Sequence, residues 1–145
     1  MSAPAIRLLP PGVSSAQFER ALAAWQGIVG SERVLDGAAL TPYLDPFAPG
    51  PEAAGFVPSA ALLPGSVEEI RAILRVANEQ RVPLWTVSTG RNYAYGGAAP
   101  RLTGSVVLDL QRMNRILEVD DKLAYALVEP GVSYFDLHSY LREHG

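Results

Sequence analysis

Between Ala60 and Leu110 the chain reads as strand, helix, strand, glycine-rich loop, strand, and that order most restricts the fold open to it. Ala60-Ala61-Leu62-Leu63 is a short apolar run, and Pro64-Gly65 turns the chain. Ser66-Val67-Glu68-Glu69 then matches a capping box, with acids in the first turn where the helix dipole favours them. Ile70, Ile73, Leu74 and Ala77 recur at helical spacing and predict the buried stripe, and Gln80-Arg81 close the helix. Two more apolar runs follow, Val82 to Val87 and Ser105 to Leu110, with residues 88–105 between them. Strand, helix, strand is the unit of a parallel sheet.

The flanking segments read differently. Residues 1–13 are proline-rich and predict an extended arm. Ser14-Ser15-Ala16-Gln17 is another capping box; Phe18, Leu22, Trp25 and Val29 follow on one helix face, and Gly30 can end the helix. Prolines and glycines crowd residues 36–58, which predicts a surface loop without regular structure. Beyond the glycine loop, Ile116 to Val119 and Tyr125 to Val128 predict a hairpin turning at Asp120-Asp121-Lys122. Glu129-Pro130-Gly131 breaks it. Ser133 caps a last helix carrying Tyr134, Leu137, His138 and Leu141 on one face.

The 145 residues suit one modest domain, and the net charge of −3 lacks the basic surplus that nucleic acid requires. There is no cysteine, so disulfides, thiolate metal sites and a cysteine nucleophile are excluded together. No apolar run reaches the length of a membrane span, and Met1 to Arg7 does not resemble a signal peptide, so no membrane association and a cytoplasmic setting are expected. The two histidines, His138 and His144, are spaced too widely for a pair of ligands on one helix face, and no metal site is expected. His138 reads as a packed or capping residue and His144 as solvated. Glu68-Glu69 and Asp120-Asp121 are explained by a helix start and a turn.

The loop at 88–105 carries the chemistry. Glycines beside Ser88, Thr89 and Asn92 suit a backbone that turns its N–H groups toward an anion. No Gly-Lys-Ser/Thr closes the loop, so it is not a P-loop. Its glycine spacing and Pro100 do not fit the dinucleotide fingerprint either. From spacing alone, a diphosphate cradle and an ordinary glycine-rich turn both remain open.

Ser88-Thr89-Gly90-Arg91-Asn92-Tyr93-Ala94-Tyr95-Gly96-Gly97-Ala98-Ala99-Pro100-Arg101 is followed in order by three further stretches. They are Gly104 to Leu110, Met113 to Val119 and Val128-Glu129-Pro130-Gly131-Val132. From about residue 58 to the end, these linked motifs resemble the FAD-binding domain of the vanillyl-alcohol oxidase and 4-cresol dehydrogenase flavoproteins. They are most similar to the eugenol oxidase-like branch. The resemblance implies an α+β fold of the PCMH type: a small parallel β-α-β subdomain and the start of a second, mainly antiparallel one. Residues 1–57 would be an N-terminal arm, helix and Pro-rich loop, and 58–145 the first part of the FAD-binding domain, truncated relative to the longer family members.

The resemblance also implies the cofactor, FAD, and the site. Ser88, Thr89, Gly90, Arg91 and Asn92 would hold the diphosphate. Gly96 and Gly97 would shape the far side, and Pro130 and Gly131 would lie near the cofactor. Tyr95 would bind the phenol oxygen of the substrate, where a hydroxyl donor favours the phenolate; Tyr93 is read as packing. The implied reaction is hydride transfer to FAD from a para-substituted phenol of the 4-hydroxybenzylic or 4-allylphenol type. Some family members carry histidines near the position of Asp45-Pro46, where this chain has none. Ala94 stands where glycine is common in the family, which costs the loop some backbone freedom. The expected partners are FAD, a phenolic small molecule, and either missing C-terminal domains or a second copy of the chain. Two alternatives stay open: a non-catalytic nucleotide-binding or packing module, and an oxidoreductase of the same superfamily acting on sugars or lactones.

Overall fold

Ser14 opens α1 (Ser15–Val29) with both halves of the capping box: its Oγ accepts from the Gln17 amide at 3.3 Å, and its own amide donates to Gln17 Oε1 at 3.0 Å. Gly30 ends the helix at φ +88°, a backbone that L side chains rarely adopt. The structure is a computed structural model that describes residues 8–45, 55–90 and 97–144. Phe18, Leu22, Trp25 and Val29 are all buried, joined by Ala21, as their spacing predicts. A 3-10 turn at Ser31–Arg33 leads into β1 (Val34–Leu35).

The strand-helix-strand unit forms as read. It comprises β2 (Ala60–Leu62), α2 (Val67–Gln80) and β3 (Leu84–Val87). Ser66 caps α2 by accepting from the Glu69 amide at 3.1 Å, and Arg81 closes it in the left-handed region. Leu74 departs from the expected stripe. It is exposed, while Ile73 and Ala77, four residues apart, are buried and Val76 packs beside them. The last strand of the sheet, β4 (Val106–Asp109), inserts between the two that α2 joins, giving the order β1-β2-β4-β3. The β2, β4 and β3 pairings are parallel, and β1 lies antiparallel on the outer edge of β2.

Side chains alternate along a strand, and here both faces are covered. Ala60, Leu62, Val106 and Leu108 face α1 and α2, packing with Phe18, Trp25 and Ile73. Ala61, Val87 and Val107 face the other way, with Trp85 and Leu35 beside them. Strands buried on both faces read as unbroken apolar runs, which is why these were visible in the sequence.

The second face is covered by a segment expected to be irregular. Gly37–Tyr43 forms a 3-10 helix, and its Leu40 and Tyr43 are buried against the sheet. In a 3-10 helix residues i and i+3 eclipse, so Leu40 and Tyr43 reach the sheet together despite Pro42 between them. The N-terminal arm has no helix or strand over residues 8–13, and it packs on the rest of the chain. Leu9–Pro10 lies directly on Gly104: a Cβ there would be 2.4 Å from the Leu9 carbonyl carbon, and Gly104 has φ +75°. Residues 1–7 lie outside the described residues.

After β4 the chain forms the predicted hairpin, β5 (Ile116–Asp120) and β6 (Tyr125–Val128), antiparallel with an irregularity between Ile116 and Glu118. Asp120 Oδ1 accepts from the amides of Lys122 at 3.0 Å and Leu123 at 2.8 Å, which shapes the turn. The last helix, α3 (Tyr134–His144), has a reciprocal cap: Ser133 Oγ accepts from the Asp136 amide at 3.1 Å, and the Ser133 amide donates to Asp136 Oδ2 at 2.9 Å. None of its described residues is buried; Tyr134 is 92% exposed and Phe135 85%. His138 is exposed rather than packed, because α3 has nothing laid over that face. His144 is exposed too and stacks on Tyr140 with ring centroids 4.1 Å apart.

Candidate functional site

The parallel strands β3 and β4 end at one edge. Val87 is in register with Asp109, and the Leu110 amide donates to the Val87 carbonyl at 2.9 Å. Ser88, Thr89 and Gly90 leave the sheet there, Ser88 half-buried and the next two exposed. Ligands of open α/β sheets bind outside the carboxyl ends of the strands. Among the described residues, a Cβ built on Gly90 would meet nothing within 4 Å.

The turn at Glu129-Pro130-Gly131 arrives at the same edge. Thr89 Oγ1 donates to the Gly131 carbonyl at 2.6 Å, joining residues 42 apart in the chain. The Gly131 amide donates to the Met113 carbonyl at 2.7 Å. A Cβ on Gly131 would lie 2.5 Å from the Gln111 carbonyl oxygen, so this close approach of two backbones requires glycine. Pro130 beside it is exposed. The fold therefore brings Ser88, Thr89 and Gly90 together with Pro130 and Gly131. Arg91, Asn92, Tyr95 and Gly96, with Tyr93 and Ala94, lie outside the described residues.

Glu129 holds this turn to β5. Its side chain is buried, and its Oε1 accepts from Arg115 Nε at 3.0 Å and Nη2 at 2.6 Å, while Oε2 accepts from the Arg115 amide at 2.9 Å. The hydrogen bonds from Arg115 hold the Glu129 carboxyl below its ordinary value, and the Arg115 guanidinium is raised in return. The Ser133 hydroxyl and amide lower Asp136 in the same way.

Three residues that the sequence reading did not single out complete the edge. Asp109, at the carboxyl end of β4, is only 1% exposed. Its Oδ2 accepts from the Tyr43 hydroxyl at 2.7 Å and from Gln111 Nε2 at 2.7 Å, and its Oδ1 accepts from the Gln111 amide at 2.9 Å. Asp45, two residues past Tyr43, faces Gly97 of the glycine loop. Gly97 is buried with φ +90°, and a Cβ on it would lie 3.6 Å from Asp45 Oδ2. An Asp followed two residues later by its own amide donor is a local turn signal that could have marked Asp109. Nothing local marks Tyr43 or Asp45.

The residues present fit a diphosphate at the first half of the loop. Residues 88–105 include two arginines and no acid, Ser88, Thr89 and Gly90 bring amides to the end of β3, and the nearby Asp109 carboxylate is buried with its oxygens already hydrogen-bonded. The Asp45 carboxylate sits at the other half, where it disfavours a phosphate. On the sheet face that also carries Tyr43, Trp85 Nε1 is buried without a hydrogen-bond partner. Among the described residues no group of three or more His, Asp or Glu side chains gathers in a way that could hold a metal ion, and no helix is long and apolar enough to cross a membrane.

Comparison with known proteins agrees with this geometry. A family profile described as FAD binding domain matches residues 58–145. The chain is 40% identical over 137 residues to the flavoprotein subunit of 4-cresol dehydrogenase (hydroxylating) from Pseudomonas putida, covering 94% of this chain and 26% of that protein. Among solved structures, p-cresol methylhydroxylase with substrate bound superposes with a TM-score of 0.89 at 40% identity, over 94% of this chain and 27% of the other. The 4-ethylphenol oxidase of Gulosibacter chungangensis, in its isoeugenol complex, gives 0.87 at 46% identity, over 94% and 26%. The chain thus spans about a quarter of the length of each of these relatives. With a parallel sheet, an antiparallel hairpin and a glycine loop at the strand ends, it belongs to the FAD-binding domain family, has the PCMH-type fold of the 4-cresol dehydrogenase flavoproteins, and takes FAD as its cofactor.

Proposed function

We propose that this chain is the FAD-binding portion of a flavin-dependent oxidoreductase that oxidises para-substituted phenols of the 4-hydroxybenzylic or 4-allylphenol type. The observation that carries this reading is the overlap of nearly the whole chain with p-cresol methylhydroxylase and 4-ethylphenol oxidase, at high identity and in one continuous fold. Residues 1–57 serve as the N-terminal arm, helix and Pro-rich segment, and residues 58–145 as the first part of the FAD-binding domain.

In this reading Ser88, Thr89, Gly90, Arg91 and Asn92 hold the diphosphate. Thr89 does so with its amide, since its hydroxyl proton is committed to the Gly131 carbonyl. Gly96 and Gly97 shape the far side, and Pro130 and Gly131 border the site. When bound, FAD supplies the acceptor for a hydride from the substrate carbon attached para to the phenol oxygen. Tyr95 donates a hydrogen bond to that oxygen and favours its anionic form, which pushes electron density toward the carbon that loses hydride. Water then adds to the resulting quinone methide, and oxygen or a cytochrome takes the electrons from the reduced cofactor before any second oxidation. The substrate walls and the flavin ring environment come from residues outside this chain's 145, in the same polypeptide or a partner.

The test is Tyr95→Phe in the complete protein. The expected result is unchanged FAD content with turnover of 4-alkylphenols lowered by about a hundredfold, the scale of losing one preorganised donor. Unchanged kinetics would remove Tyr95 from the reaction. A flavin-loaded protein that oxidises sugars or lactones and leaves phenols untouched would overturn the substrate class.

A further inference from the structure

Deepening the FAD reading above, and resting on it, we propose that the buried hydrogen bond between Tyr43 and Asp109 is a positioning contact that sets where Gly97 stands relative to Ser88, the residue at which the glycine loop leaves β3, and through that placement the affinity for FAD. The bond joins residues 66 apart in the chain, at 2.7 Å. On one side, Asp109 ends β4 in register with Val87, the residue directly before Ser88. On the other, Tyr43 ends the 3-10 helix, and Asp45 two residues later lies against Gly97. The start of the loop is therefore tied to Asp109, and Gly97 within it rests on the segment held by Tyr43. One hydrogen bond links the two supports.

The chemistry of the pair favours orientation over stability as its role. A buried carboxylate is costly unless its oxygens are hydrogen-bonded. Here Tyr43, the Gln111 amide and Gln111 Nε2 supply three donors. Leu40 and the Tyr43 ring already pack the segment onto Ala61, Val87 and Val107. An apolar pair of similar volume would hold such a face at least as firmly. What the polar pair adds is direction: the hydroxyl can meet Oδ2 in only one register of the 3-10 helix on the sheet. That register fixes where Asp45 stands relative to Gly97.

The experiment measures FAD dissociation constants, by flavin fluorescence, for the complete protein and for Tyr43→Phe, Asp109→Asn and the double variant. Melting of the FAD-free forms is followed in parallel. Trp25→Phe is the control: it removes a buried hydrogen bond, Trp25 Nε1 to the Ile73 carbonyl at 3.3 Å, on the opposite sheet face. Each single change at the Tyr43–Asp109 pair is expected to weaken FAD binding about tenfold, and the double variant to lose no more than Asp109→Asn alone, since the Tyr43 change acts only through a contact that the Asp109 change already disturbs. Trp25→Phe is expected to lower the melting temperature and leave the FAD constant unchanged. Tyr43→Phe binding FAD as tightly as the parent overturns the proposal, as does a loss in Trp25→Phe equal to that at the Tyr43–Asp109 pair. Should Asp109→Asn not fold, the comparison of Tyr43→Phe with Trp25→Phe decides alone. A parent protein that takes up no FAD overturns the functional reading and this inference with it, an outcome distinct from tight binding in Tyr43→Phe.

Discussion

Gly90 and Gly131 stand at the same edge of the sheet and make opposite demands on it. A Cβ on Gly131 would press on the carbonyl oxygens of Gln111 and Leu110, at 2.5 and 2.7 Å, and backbone cannot give way as a side chain end can. Gly131→Ala should destabilise the fold by about 1–3 kcal/mol, the cost of overpacking, visible in chemical denaturation. At Gly90 a Cβ meets nothing within 4 Å among the described residues, so Gly90→Ala should shift stability by no more than about 0.5 kcal/mol. If its amide faces the diphosphate, FAD binding should nevertheless weaken, and a titration of the complete protein checks this. Glu129 makes a third demand. Its carboxyl is held below its ordinary value of 4.5 by Arg115, so the folded state binds fewer protons there than the unfolded state does. The pair's contribution is complete above that value and fades as pH falls through the lowered one. Asp136 acts with the same sign through Ser133. Melting temperatures should therefore fall on the acid side of pH 4.5, and Arg115→Gln should flatten part of that slope while lowering stability at neutral pH. An unchanged acid slope in Arg115→Gln would show that other carboxylates carry it.

Among the elements, α1 and α3 were equally legible from their caps, yet they end in different circumstances. Ser14 and Ser133 both form reciprocal caps, but α1 buries a full stripe and α3 buries none of its described residues. Helical stability in proteins comes mostly from packing of an apolar face rather than from propensity. In the 145-residue chain, the amides of α3 should exchange with solvent orders of magnitude faster than those of β4, with hydrogen exchange as the readout. Equal protection in the two would contradict the exposure of Tyr134 and Phe135. The 3-10 helix at Gly37–Tyr43 shows the limit in the other direction. Its prolines and glycines conceal an ordered element, because Leu40 and Tyr43 find a sheet face that no local pattern announces.

For the whole chain, most of the exposed large apolar residues among those described lie beyond β4. Leu117, Leu123, Tyr125 and Leu127 on the hairpin, and Tyr134, Phe135 and Leu141 on α3, are all exposed. Exposed apolar surface of this extent marks an interaction face. With only about a quarter of the length of its relatives, the 145-residue chain studied alone should self-associate and should bind FAD far more weakly than the complete protein. Sedimentation and flavin titration check both. A monomer that binds FAD at micromolar concentration with full stoichiometry would show that this segment builds the site by itself.

What the amino-acid sequence determined alone was local. The capping boxes at Ser14 and Ser66, the apolar runs of β2, β3 and β4, the hairpin, and the order of motifs that marks the family are all written within short windows, where period and turn chemistry act directly. What only the tertiary structure decided was adjacency. That β4 enters between β2 and β3, that Thr89 meets Gly131 across 42 residues, and that Tyr43 meets Asp109 across 66 follow from which faces must be buried together. Contacts that close long stretches of chain leave no periodic trace in either partner, so the glycine loop was legible as a motif while its supports beside Ser88 and Gly97 were not.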